Sequence, residues 1–138
     1  VYIAWSTANR SSLIRIPAEG GGGTRIELRS PDSAANPYLT LAVCLKAGLD
    51  GMMHRIEPPR SVDCNIYSMT DEERYALGIR NLPGTLHEAV EEMKTDRLVL
   101  DVLGKHIAEK YIEAKEAEWQ RYRASVSEWE IQEYLYRY

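Results

Sequence analysis

The chain has 138 residues, a formal net charge of −4 and two cysteines. That length supports one domain with a packed core, and the acidic balance argues against a general nucleic-acid surface. Cys44 and Cys64 offer neither a disulfide framework nor metal-ligand spacing, no apolar run approaches membrane length and no leader segment is read, so the expected setting is a reducing cytoplasm.

Val1 to Ser6 (VYIAWS) reads as a strand, and Asn9 to Ser12 as a polar connection. Leu13 to Pro17 and Arg25 to Arg29 alternate apolar and polar residues, which predicts two more strands. In the second, Arg25, Glu27 and Arg29 share one face and Ile26 and Leu28 the other, and the polar face spans about 13 Å. Arg15 joins that face if the strands pair. Gly20 to Gly23 link them. No Gly-Lys-Ser/Thr follows, so the glycines are not a Walker loop.

Asn36-Pro37 opens a helix, with Asn as the cap and Pro at the first position. Leu41, Leu45, Leu49 and Met52 form its apolar stripe, and Pro58-Pro59 bounds it. Residues 57–82 read as a long excursion of little periodicity. Thr85 and Glu88 make a capping box for a helix with Leu86, Ala89, Val90 and Met93 on its apolar face. Asp96 caps the next piece, which breaks or bends near Gly104. His106 to Tyr122 follows as a long amphipathic helix, with Ile107, Tyr111, Ala114 and Tyr122 near one stripe. Ser127 and Glu130 cap a short last helix rich in aromatics. The predicted class is α+β: a few antiparallel strands completing a sheet with strands upstream of Val1, then a helical half.

The chemistry concentrates between Asn9 and Tyr38, where Arg10, Arg15, Arg25 and Arg29 occur without a lysine. Guanidinium forks grip phosphate and carboxylate through paired bonds. Spacing alone favours a solvated sheet face with cross-strand ion pairs. His54, His87 and His106 fall on helices away from this cluster and read as surface or helix-end residues.

The blocks NRSSLIRIP, RIELRSPDSAANPYL, LKAGLDG and the Asn65-Ile66-Tyr67 loop resemble the C-terminal part of type I glutamine synthetase, colinearly over essentially the whole chain. The resemblance implies that residues 1–138 are the C-terminal portion of the catalytic domain, with a strand-rich active-site part at 1–30 and a mainly helical part at 31–138. It implies a ligase joining glutamate and ammonia at the expense of ATP through a γ-glutamyl phosphate. Arg10, Arg15, Gly22, Gly23 and Thr24 match ATP-binding positions. Arg10 and Arg29 match glutamate-binding positions, and Glu27 matches the metal ligand for Mg²⁺ or Mn²⁺. No residue here matches a catalytic acid or base. The remaining ligands belong upstream, so the chain alone is expected to be inactive.

The resemblance also implies a cytoplasmic double-ring dodecamer whose tail, Ser127 to Tyr138, packs across a subunit boundary, and nitrogen-regulatory partner proteins, with no nucleic acid or membrane partner. Ser68-Met69-Thr70-Asp71 after Tyr67 matches the feedback-inhibited branch, which leaves Tyr67 unmodified. Two alternatives stay open: a non-catalytic helical assembly or regulator-docking module, and a related ligase that uses another amine.

Overall fold

The computed structural model describes residues 1–17 and 25–137. These form two units, Val1–Gly84 and Thr85–Tyr138.

The first unit is built on a four-stranded sheet of order β3-β2-β1-β4. The strands are β1 (Tyr2–Ser6), β2 (Ser12–Arg15), β3 (Glu27–Leu28) and β4 (Arg80–Asn81). The class is α+β as the patterning predicts, but the sheet is mixed. β3 and β4 pair antiparallel with their neighbours, while β1 and β2 run parallel, with Tyr2 beside Ser12 and Ser6 beside Arg15. A short polar link between two strands reads as a hairpin. Here its own side chains turn the backbone instead. Ser6 Oγ accepts from the Ala8 and Asn9 amides, and Asn9 Oδ1 accepts from the Ser11 amide and hydroxyl. Such local bonds let Ser and Asn redirect a chain. The link thereby doubles back, and β2 starts beside the start of β1.

Helix α1 (Pro37–Met53) begins as expected: Asn36 Oδ1 accepts from the Tyr38 and Leu39 amides, and Pro37 is the first helical residue. Its predicted apolar stripe is not covered within the described residues; Leu41, Leu45, Leu49 and Met52 are all exposed.

The excursion at 57–82 is more ordered than its sequence suggests. It contains a 3₁₀ turn (Ile66–Ser68), helix α2 (Asp71–Ala76) and β4. The signal for α2 is local and was present: Thr70 and Glu73 form a reciprocal capping box. Ile66, fully buried, packs with Ala4 and Ile79, and Tyr2, Val62 and Met69 close around them. The excursion is therefore what gives β1 its core.

The second unit pairs α3 (Leu86–Thr95) with α4 (Arg97–Arg123). Thr85 Oγ1 accepts from the Glu88 amide and Asp96 Oδ1 from the Val99 amide. The expected break falls at Gly104, whose φ of 69° and ψ of 158° are open essentially only to glycine. Among the described residues of this unit, Val90, Leu103 and Ala108 are the buried apolar ones. The seam on α4 runs through Ala108, Ile112, Lys115 and Trp119, one position beyond the expected Ile107, Tyr111 and Ala114, and it leaves the expected Tyr122 exposed. Two contacts from α3 fix that phase: His87 stacks on Trp119 at 6.0 Å, and Lys94 pairs with Glu116 at 2.6 Å.

The tail starts with the expected capping box of Ser127 and Glu130. Helix α5 (Glu128–Glu130) passes into a π turn at Ile131–Leu135. Trp129 meets Tyr134 edge-on at 5.9 Å, yet Trp129 stays 63% and Tyr136 81% exposed.

Candidate functional site

Pairing of β2 with β3 decides which charges meet. Arg15 stands opposite Glu27, and Ile14 opposite Leu28. The antiparallel register thus adds Arg15 to the face that already carries Arg25 and Glu27. Arg15 Nη1 donates to Glu27 Oε2 at 2.9 Å, while Arg25 donates to Oε1 from Nε at 3.2 Å and from Nη2 at 2.9 Å. One carboxylate is therefore held by two guanidiniums, one on each oxygen. Hydrogen bonds from Arg15 first, and from Arg25 second, hold the Glu27 carboxyl below the usual carboxylate range.

Among the described residues the buried Arg15 Nε–H has no hydrogen-bond partner. A buried donor left unpaired is costly. Arg29 is anchored at both ends: its amide donates to the Leu13 carbonyl at 2.9 Å, and its Nη1 donates to the Arg10 carbonyl. The structure thus brings Arg15, Arg25 and Glu27 into one ion-paired cluster and links Arg29 to Arg10 beside it. Gly22, Gly23 and Thr24, read from sequence as nucleotide-binding, lie outside the described residues.

The opposite face of the sheet is apolar. Ile3, Trp5, Ile14, Ile16 and Ile26 with Pro58 line a hollow of about 360 Å³.

The metal question turns on donors. No group of three or more His, Cys, Asp or Glu side chains is placed to hold an ion among the described residues. Glu27 offers one ionised hard-oxygen donor of the type Mg²⁺ takes. It fits as a single ligand in a shared site, and it cannot form a site alone. Among the described residues of the first unit, His54 does not enter the cluster. His54 Nδ1 lies 3.3 Å from Asp50 Oδ1 on α1 and His87 stacks on Trp119. Among the described residues no helix is long and apolar enough to cross a membrane.

Sequence reading passed over the set that supports the arginines. Ser6, Thr7 and Asn9 bond to Ser61–Cys64, more than fifty positions away. The density of hydroxyl and amide side chains in STANRSS was a signal for the near side of that set. Nothing local singles out Asp63.

Residues 1–134 match the family model described as the catalytic domain of glutamine synthetase. The chain is similar to the glutamine synthetase of Thermotoga maritima, 54% identical over 136 residues, covering 99% of this chain and 31% of that one. It is 51% identical to the enzyme of Clostridium saccharobutylicum over 138 residues, again 31% of that protein. A solved structure described as "Apo GmaS without ligand" superposes with a TM-score of 0.79 at 35% identity, covering 97% of this chain and 30% of the other. The chain therefore spans about a third of the length of the proteins it resembles.

Proposed function

Because the chain belongs to the glutamine synthetase catalytic-domain family, we propose that it is the C-terminal part of an ATP-dependent glutamate–ammonia ligase and supplies that enzyme's anion-gripping wall. The observation that carries this is the Arg15–Glu27–Arg25 cluster, whose Arg15 Nε–H has no acceptor among the described residues. A phosphate oxygen would satisfy it.

On this reading Arg10 and Arg15 hold ATP phosphates, with Gly22, Gly23 and Thr24 approaching the nucleotide through backbone. Arg10 and Arg29 orient glutamate so that an oxygen of its side-chain carboxylate attacks the terminal phosphorus of ATP and ADP leaves. Ammonia then displaces phosphate to give glutamine. Phosphoryl transfer depends chiefly on positioning and charge neutralisation, which fixed guanidiniums provide. Glu27 would be one ligand of a bound Mg²⁺ or Mn²⁺, which supplies further neutralisation of phosphate charge. Both Glu27 oxygens are engaged by arginines, so binding requires those guanidiniums to turn from Glu27 toward the phosphates. The exposed face of α1 and the apolar hollow on the sheet are covered by the rest of the catalytic domain. The tail, with Trp129 and its tyrosines exposed, packs on a second copy of the chain in a ring assembly.

The test is glutamine formation by the purified full-length protein. We expect it to require ATP and ammonia, to be absent from residues 1–138 alone, and to fall about a hundredfold or more in Arg29→Ala through glutamate use. Absence of ATP-driven glutamine formation by the full-length protein, or a wild-type Arg29→Ala, would overturn the reading.

A further inference from the structure

Outside the arginine cluster, the densest long-range polar network joins the link between β1 and β2 to the segment Ser61–Ile66. Asp63 is its centre. Oδ1 accepts from Ser6 Oγ at 2.7 Å and from the Thr7 amide and hydroxyl at 3.3 Å each, and Oδ2 accepts from Ser61 Oγ at 2.9 Å. Around it, Asn9 Nδ2 donates to the Val62 carbonyl at 3.3 Å and to the Cys64 carbonyl, and the Ile66 amide donates to Ser11 Oγ at 3.1 Å.

Ser6, Ser11 and Ser12 are buried, while Thr7, Ala8 and Arg10 are exposed. Among the described residues no apolar packing covers the exposed crest of the link. Its position is set by these hydrogen bonds. The link carries Arg10, and the Arg10 carbonyl is the acceptor for Arg29 Nη1.

We propose that Asp63 is a positioning residue for the anion site. It fixes the link through Ser6 and Thr7, and the link's Arg10 carbonyl then sets the direction of the Arg29 guanidinium. This rests on the reading of Arg10 and Arg29 as glutamate-binding residues. A long arginine loses rotamer freedom when it binds; one held in place beforehand loses less and grips its carboxylate more tightly. Asp63 touches no reacting atom and acts on affinity for the amino acid.

The experiment is steady-state kinetics on the full-length protein, varying glutamate and ATP separately. In Asp63→Ala the KM for glutamate should rise about tenfold or more while kcat at saturating glutamate falls less than about threefold. Asp63→Asn keeps the Oδ1 acceptor for Ser6 and Thr7, so its glutamate KM should stay within about threefold of wild type. A merely structural role would lower the active fraction, and with it kcat, and leave KM alone. Should Asp63→Ala fail to fold, Ser6→Ala cuts the same link from the other end and should raise glutamate KM in the same direction. Unchanged glutamate KM in the folded variants, or Asp63→Asn no better than Asp63→Ala, overturns the proposal. If wild type makes glutamine and these variants leave KM flat, only the positioning role is lost. If wild type makes none, the ligase reading fails first.

Discussion

The two units are held by different kinds of contact. In Val1–Gly84 the decisive bonds are long-range and polar: Ser6 to Asp63, Asn9 to Val62, the Ile66 amide to Ser11. In Thr85–Tyr138 they are mostly local: caps at Thr85, Asp96 and Ser127, and ion pairs three positions apart such as Lys110–Glu113 and Lys115–Glu118. The ends and breaks of a helix can be specified by signals within a turn or two of each residue. A wall of arginines cannot, because each long side chain needs a fixed backbone behind it, and that backbone is fixed by residues far away in sequence.

Ile66 offers the hardest blow to the first kind of contact. It is fully buried, and its amide bonds Ser11. Ile66→Ala should cost about 2–5 kcal/mol in urea unfolding, and amide exchange should rise across Ser6–Ser12 as well as around residue 66. A loss confined to residues near 66 would break the claim that the excursion supports the link.

In the second unit the corresponding change is at a single backbone position. Gly104→Ala meets no atom within 4 Å of the new Cβ, so its cost is conformational only, about 1–3 kcal/mol. Gly48, within α1, also has open space and an ordinary helical backbone. Gly48→Ala should therefore stabilise by about 0.5–1 kcal/mol. Thermal unfolding of the two variants should move in opposite directions; equal shifts would refute the assignment of strain to Gly104.

A smaller effect should come from pH. Hydrogen bonds from Ser6 first, then Ser61 and the Thr7 amide, hold the Asp63 carboxyl below its ordinary range. A carboxyl depressed in the folded state adds stability above its unfolded pKa and loses it as pH falls through the folded value. The stability gap between wild type and Asp63→Asn should thus be full near neutrality and shrink on acidification below the ordinary carboxylate range. A gap that stays flat with pH would mean that Asp63 is not held as an ionised acceptor.

Legibility followed the same division. The caps at Asn36, Thr85, Asp96 and Ser127 and the break at Gly104 were readable because each depends on its neighbours alone. The face shared by Arg15 and Glu27 was readable as well, since period-two alternation needs only the assumption that the strands pair. The parallel course of β1 and β2 was not, because it follows from side chains that turn a link otherwise indistinguishable from a hairpin. The α4 seam was read one position off, since its phase is set by His87 and Lys94 on the neighbouring helix. Asp63 sits in a stretch without periodicity and gains meaning only from Ser6 and Thr7.

The central claim is that Glu27 and its arginines form a phosphate and metal site, and not an ion-paired surface. The most direct measurement is the metal dependence of glutamine formation by full-length Glu27→Ala. The account predicts a large loss of rate at ordinary Mg²⁺ or Mn²⁺, recovered only in part by raising the metal. Near-wild-type rates at ordinary metal would contradict it and return the cluster to a solvated sheet face.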